Sequence, residues 1–82
     1  MSPISAAIRT FISETFFVDS FDDDDSFMKT GLLDSTGMLE LINFIEETWH
    51  FKMQDDELIP ENLDSVNRAT ACVERKLTRS AA

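Results

Sequence analysis

Basic residues are scarce in this chain: seven Lys and Arg stand against sixteen Asp and Glu, a formal net charge of −9. Phosphates would be repelled by such a surface, so the charge argues against a nucleic-acid-binding role. The one cysteine, Cys72, has no internal disulfide partner. With a single histidine, His50, neither a zinc-type Cys/His cluster nor a Ser-His-Asp triad can be assembled, and no glycine-rich phosphate cradle is present. No apolar run approaches the length of a membrane span or of a signal-peptide core, so a cytoplasmic protein with no membrane insertion is expected. Only two glycines and two prolines occur among 43% hydrophobic residues, a globular and not a disordered composition. Eighty-two residues make one domain, 1–82, with a single small core and no room for a separate substrate domain. A self-sufficient enzyme is therefore not expected, and a monomer is.

The acids are unevenly placed. Thirteen of the sixteen lie between Asp19 and Glu61, where the bases are Lys29 and Lys52 alone. A middle segment of one sign suits transient docking onto basic patches, because complementary charge raises association rates. Acidity by itself also serves solubility. The run Asp22 to Asp25 invites a calcium reading, since hard cations take clustered carboxylates. Counted from Asp22, however, Phe27 falls where a calcium loop needs glycine and Leu33 where it needs a bidentate glutamate. A solvated acidic loop is the better reading.

Hydrophobic periodicity is helical in three stretches, with no single period between Phe16 and Phe27. Ser2-Pro3 is a helix start, serine as cap and proline in the first turn, and Ile4, Ile8, Phe11 and Ile12 form one stripe, so helix 1 is expected over about 3–15. A long loop pinned by Phe16, Phe17, Val18, Phe21 and Phe27 follows, with a short helical turn expected near Phe27 to Lys29. The next helix is expected over about 35–49, with Leu39, Ile42, Ile45 and Trp49 inward, widened by Leu41 and Phe44. Residues 50–64 form a second loop with a turn begun by Pro60. The last helix starts after Asp64-Ser65, either of which can cap it, and runs to about Leu77 with Val66, Ala69, Val73 and Leu77 inward. The core is thus expected over about 3–77, with 78–82 fraying. Three long helices and a short one make an all-α, antiparallel-type bundle.

The stretch Gly31-Leu32-Leu33-Asp34-Ser35-Thr36-Gly37 carries the chemistry. Asp34 is expected to cap the second long helix through the amide of Gly37 or Met38, its charge set against the positive helix end. Ser35 then takes the first helical position with its hydroxyl towards solvent. Ser35 has no base of its own: the only imidazole, His50, is about 20 Å further along by helical rise, out of hydrogen-bond reach. The hydroxyl therefore reads either as the target of another enzyme or, as is common for Asp-Ser dipeptides, as a mere member of a capping pair. Gly37 removes bulk beside it, which would ease close approach, although glycine can equally be neutrally tolerated near a helix end. An exposed, flexible Met38 would re-pack against different partners, although it can equally complete the core.

Asp34-Ser35, followed by Glu40-Leu41 and Ile45-Glu46-Glu47, resembles the acyl carrier protein family, and the likeness extends over most of the chain. Thr36 stands where that family usually has leucine. Within the family, Gly31-Leu32-Leu33-Asp34-Ser35 and Gly37 look closest to small free-standing carriers that receive D-alanine or another amino acid. The resemblance implies a four-helix carrier fold of three long helices and one short, the short one in 50–64. It also implies covalent 4′-phosphopantetheine on Ser35, whose thiol holds an acyl or aminoacyl thioester. The implied partners are a phosphopantetheinyl transferase, an adenylating loading enzyme, and downstream synthase, oxidising or transfer enzymes. Thr36, Met38, Glu40, Glu46 and Glu47 are the expected partner-facing residues. The Met at position 1 and the short ends favour a discrete protein over an excised domain. The alternative from another class is an unmodified acidic helical adaptor that binds basic surfaces through the same face.

Overall fold

A computed structural model describes residues 2–18 and 20–81, the side chains of 79–81 excepted. The described residues contain helices and no strand. In chain order they are α1 (Pro3–Phe16), α2 (Phe27–Thr30), α3 (Ser35–Trp49), a 3₁₀ turn (Asp55–Glu57), α4 (Pro60–Leu63) and α5 (Val66–Ala81). The three long helices fall where periodicity puts them. There are two short helices instead of one, because the turn after Ser26 closes a full helical turn of its own. Helix α5 continues past Leu77 to Ala81, and Ala82, the last residue of the stretch expected to fray, lies outside the described residues. No helix among the described residues is long and apolar enough to cross a membrane.

Local chemistry sets the helix ends. Ser2 Oγ accepts from the Ser5 amide at 3.1 Å, with Pro3 in the first turn, where its missing N–H leaves nothing unpaired. Ser65, not Asp64, caps α5: its Oγ accepts from the Arg68 amide at 3.0 Å. Gly31 ends α2 in the left-handed region, φ 78°, and its N–H reaches Met28 O. Phe17 and His50 end α1 and α3 in the same region without being glycine.

Helix α1 packs chiefly on α5, α3 lies against both, and α4 packs on α5. The centre is Ile8 and Ile12 of α1, Leu41 and Ile45 of α3, Val66, Ala69 and Val73 of α5, and Phe27 of α2, all fully buried. Phe11 stacks on Phe44 with ring centroids 4.3 Å apart, joining α1 to α3 at their outer edge.

The acidic loop is held by its own carboxylates. Arg9 pairs with Asp23, donates to Phe21 O at 3.0 Å, and lies over the Phe21 ring. Asn67 donates its side-chain amide to Asp24 and its backbone N–H to Asp23 O, fastening the loop to α5. Asp25 closes the turn by accepting from the Asp22 amide. Among the described residues no three His, Cys, Asp or Glu are grouped to hold a metal ion. Lys76 ties α5 to the 3₁₀ turn through Glu57 at 2.8 Å, and Arg75 reaches Asn62 of α4 at 2.9 Å.

Cys72 is buried on α5 and unpaired. Burial pushes its thiol above the ordinary value, reinforced by Glu57 and opposed by Arg75 and Lys76. A proton held more tightly in the fold than in the unfolded chain gives stability that is complete below the ordinary thiol range and is lost as pH rises through the raised value. Urea titrations at pH 8 and pH 10 should therefore show the wild type losing stability relative to Cys72→Ala at the higher pH. An unchanged difference would mean that the thiol ionises as freely in the fold as outside it.

Candidate functional site

The chain enters α3 through three residues with separate tasks. Leu33 is almost fully buried, and its amide bonds Phe27 O at 3.2 Å, so the approach to the helix is anchored in the core. Asp34 follows as the cap, extended in backbone, with Oδ1 accepting from the Gly37 amide at 2.8 Å and its carbonyl accepting from Met38 N at 2.9 Å. Ser35 is the first helical residue, exposed, and its Oγ makes no hydrogen bond among the described residues. Replacing the cap by Asp34→Ala should cost about 1 kcal/mol, seen as a fall in thermal midpoint of roughly 4–8 °C. No loss at all would show that the helix start is held by Leu33 alone.

Gly37 faces inward. A Cβ there would lie 3.3 Å from Leu33 Cβ and Cδ2 and 3.3 Å from Phe16 Cε1. Its lack of a side chain lets the first turn of α3 sit on Leu33 and on the end of α1. It does not open the space in front of Ser35, as the sequence reading had it.

The inward face of α3 is Gly37, Leu41 and Ile45. Leu39, expected inside, is 61% exposed. Leu41 and Ile45, also expected inside, are fully buried, and Ile42, Phe44 and Trp49 pack against the core, so Leu39 alone of the expected inward set turns outward. Two apolar sets lie side by side on this helix, one filling the core and the other half open. The second set, Met38, Leu39 and Ile42 with Ser35, forms one side of a cleft of about 330 Å³. Its other side is Met28 of α2, then Leu58, Pro60, Leu63 and Asp64 around α4. Met38 is half-buried and packs against the core from within this cleft. Met28, Leu58 and Ile59 are exposed beside it. Nothing local in the sequence ties Met28, Leu58 or Asp64 to Ser35, because they reach it only through the packing of α2 and α4.

The acidic residues divide. Thr36, Glu40 and Glu47 share one exposed stripe of α3 with Asn43, at positions i, i+4, i+7 and i+11. Glu46 is different: its Oε2 accepts from the Met53 amide at 2.8 Å and its Oε1 lies 3.8 Å from Lys52. Only 16% of that side chain is exposed, so its carboxylate fixes the chain leaving α3 and is not part of the free acidic stripe. His50 closes the opposite end of α3 from Ser35.

A helix of 15 residues starting at Ser35 presents the amides of Ser35 and Thr36 unbonded among the described residues, at the positive end of its dipole. An exposed hydroxyl in that setting is a good position for a phosphate ester. Comparison with models of known protein families and with curated protein sequences returns no match.

Proposed function

We propose that the chain is a carrier, with Ser35 as the attachment point of 4′-phosphopantetheine and an acyl or aminoacyl group as cargo. One observation carries this reading: an exposed, unbonded hydroxyl on the first residue of a capped helix, at the mouth of an apolar cleft. The residues present fit the group. Ser35 Oγ supplies the ester oxygen, the first-turn amides and the helix dipole favour the phosphate, and Met28, Leu39 and Leu58 offer apolar surface beside it. When bound, the group supplies a thiol that holds the cargo as a thioester at the end of a flexible arm, raising its effective concentration wherever the protein docks.

Asp34 keeps the helix start in one geometry for the transferase. The stripe Thr36, Glu40 and Glu47 faces basic surfaces on the transferase, on the adenylating loading enzyme and on downstream enzymes, while Glu46 stays within the chain. A lone thiol, buried and unpaired, accords with a reducing compartment such as the cytoplasm. The same exposed stripe favours the second reading, an unmodified adaptor for basic partners. Intact-protein mass spectrometry before and after incubation with coenzyme A and two broad-specificity phosphopantetheinyl transferases separates them. A gain of one phosphopantetheinyl mass is the carrier result, and no gain from folded protein with either transferase is the adaptor result.

A further inference from the structure

Asp64, read from sequence as a possible cap for α5, makes its bonds elsewhere. Its Oδ1 accepts from the Met28 amide at 3.0 Å, its Oδ2 takes the Ser26 hydroxyl, and its backbone carbonyl accepts from Phe27 N at 3.0 Å. All three bonds converge on the start of α2, a helix of four residues. One helical turn cannot hold itself together in water, because nucleation costs more than a single hydrogen bond returns. Ser26 Oγ meanwhile accepts from the Lys29 amide at 3.1 Å, so one hydroxyl both caps α2 and joins it to Asp64. The segment so held contributes Met28 to the cleft that Asp64 and Ser35 also line.

We propose that Asp64 is the positioning residue of the Ser35 cleft, holding α2 in place so that Met28 completes an apolar wall with Leu39 and Leu58 against which a nonpolar cargo rests. The cargo part rests on the carrier reading. The wall part does not, since an apolar ligand tests it on the unmodified protein. Phe27, fully buried, anchors α2 from inside, and Asp64 sets the outer half of the same turn.

The experiment titrates unmodified wild type, Asp64→Ala, Asp64→Asn and Ser26→Ala with Nile red, a neutral apolar dye, and follows backbone hydrogen exchange in the same samples. Loss of hydrogen bonds of about 1 kcal/mol each predicts dye affinity at least about fivefold weaker for Asp64→Ala. Exchange at the amides of Phe27, Met28 and Lys29 should rise while Val73 stays protected. Asp64→Asn keeps an acceptor for the Met28 amide and should recover at least half of the loss, whereas Ser26→Ala should fall between. Asp56→Ala, the same charge change on an exposed 3₁₀ residue, should bind as the wild type does, and Leu39→Asp should abolish binding if the dye occupies this cleft. Should Asp64→Ala fail to fold, Asp64→Asn and Ser26→Ala carry the comparison.

Wild-type dye binding and α2 protection in the Asp64 and Ser26 variants would overturn the proposal, as would a wild type that binds no dye. The two readings fail separately. A protein that gains the phosphopantetheinyl mass but whose cleft ignores Asp64 leaves the carrier standing without the clasp. One that gains no mass but loses dye affinity in Asp64→Ala leaves the clasp standing without the carrier.

Discussion

Ser35→Ala is expected to abolish the phosphopantetheinyl mass gain entirely while leaving the thermal midpoint within about 3 °C of the wild type. The two halves of that result have separate causes. The side chain is exposed and bonds nothing among the described residues, so the fold loses no contact with it, and alanine is at ease in a first helical turn. The hydroxyl is nevertheless the only atom through which the group can be attached at this position. Asp34→Ala provides the converse, because it weakens the helix start but leaves the oxygen in place. It should be modified to completion, only more slowly. A Ser35→Ala protein that still gains the mass would move the attachment to another hydroxyl and end the present assignment. A Ser35→Ala protein that melts far below the wild type would show a structural task for the hydroxyl that its surroundings do not reveal.

The second large effect concerns Phe27. This ring is fully buried, belongs to the shortest class of helix in the molecule, and sits among Leu33 and the residues of the three long helices in one core cluster. Phe27→Ala should cost about 3–5 kcal/mol through lost transfer energy and the cavity left behind. A domain of this size holds only about 4–12 kcal/mol in all. The variant should therefore melt roughly 15–30 °C lower, measured by circular dichroism. Phe17→Ala is the matched control: that ring is 89% exposed at the end of α1, and its removal should change stability by about 0.5 kcal/mol at most. Equal losses for the two would mean that the cluster around Phe27 collapses onto the vacated space.

What could be foreseen from the sequence was what depends on neighbours in sequence. The Ser2 cap and the Asp34 cap with its bond to Gly37 rest on residues within four positions of one another, and the short turn after Ser26 was foreseen by place although Asp64, far along the chain, holds it. The stripe of α1 was legible for the same reason, since Ile8 and Ile12 are the centre of a set with no competitor on that helix. Helix α3 has two apolar sets. Periodicity found Leu41 and Ile45 of the buried face and Ile42, Phe44 and Trp49 packed against it, but it also took in Leu39, which opens to the cleft, and missed Gly37, too small to register as hydrophobic. Glu46 was read as a surface acid, and Asp64 as one of two possible caps beside Ser65, from their types and local positions. Their partners, Met53 N and the start of α2, lie across a loop and across the fold, where no spacing rule reaches. The cleft itself was not visible at all, since α2 and α4 supply half of it only once Asp64, at the end of α4, has bonded the start of α2.

Trp49, the one tryptophan, ends α3 with its ring edge-on to Phe44 at 5.8 Å, and Phe44 in turn stacks on Phe11. By helical rise it stands about 20 Å from Ser35. The protein thus carries a natural fluorophore wired to the α1–α3 seam and remote from Ser35. Its emission should report whether those two helices are packed and stay silent when Ser35 is altered. Any modification of Ser35 therefore has its own folding control in the same cuvette.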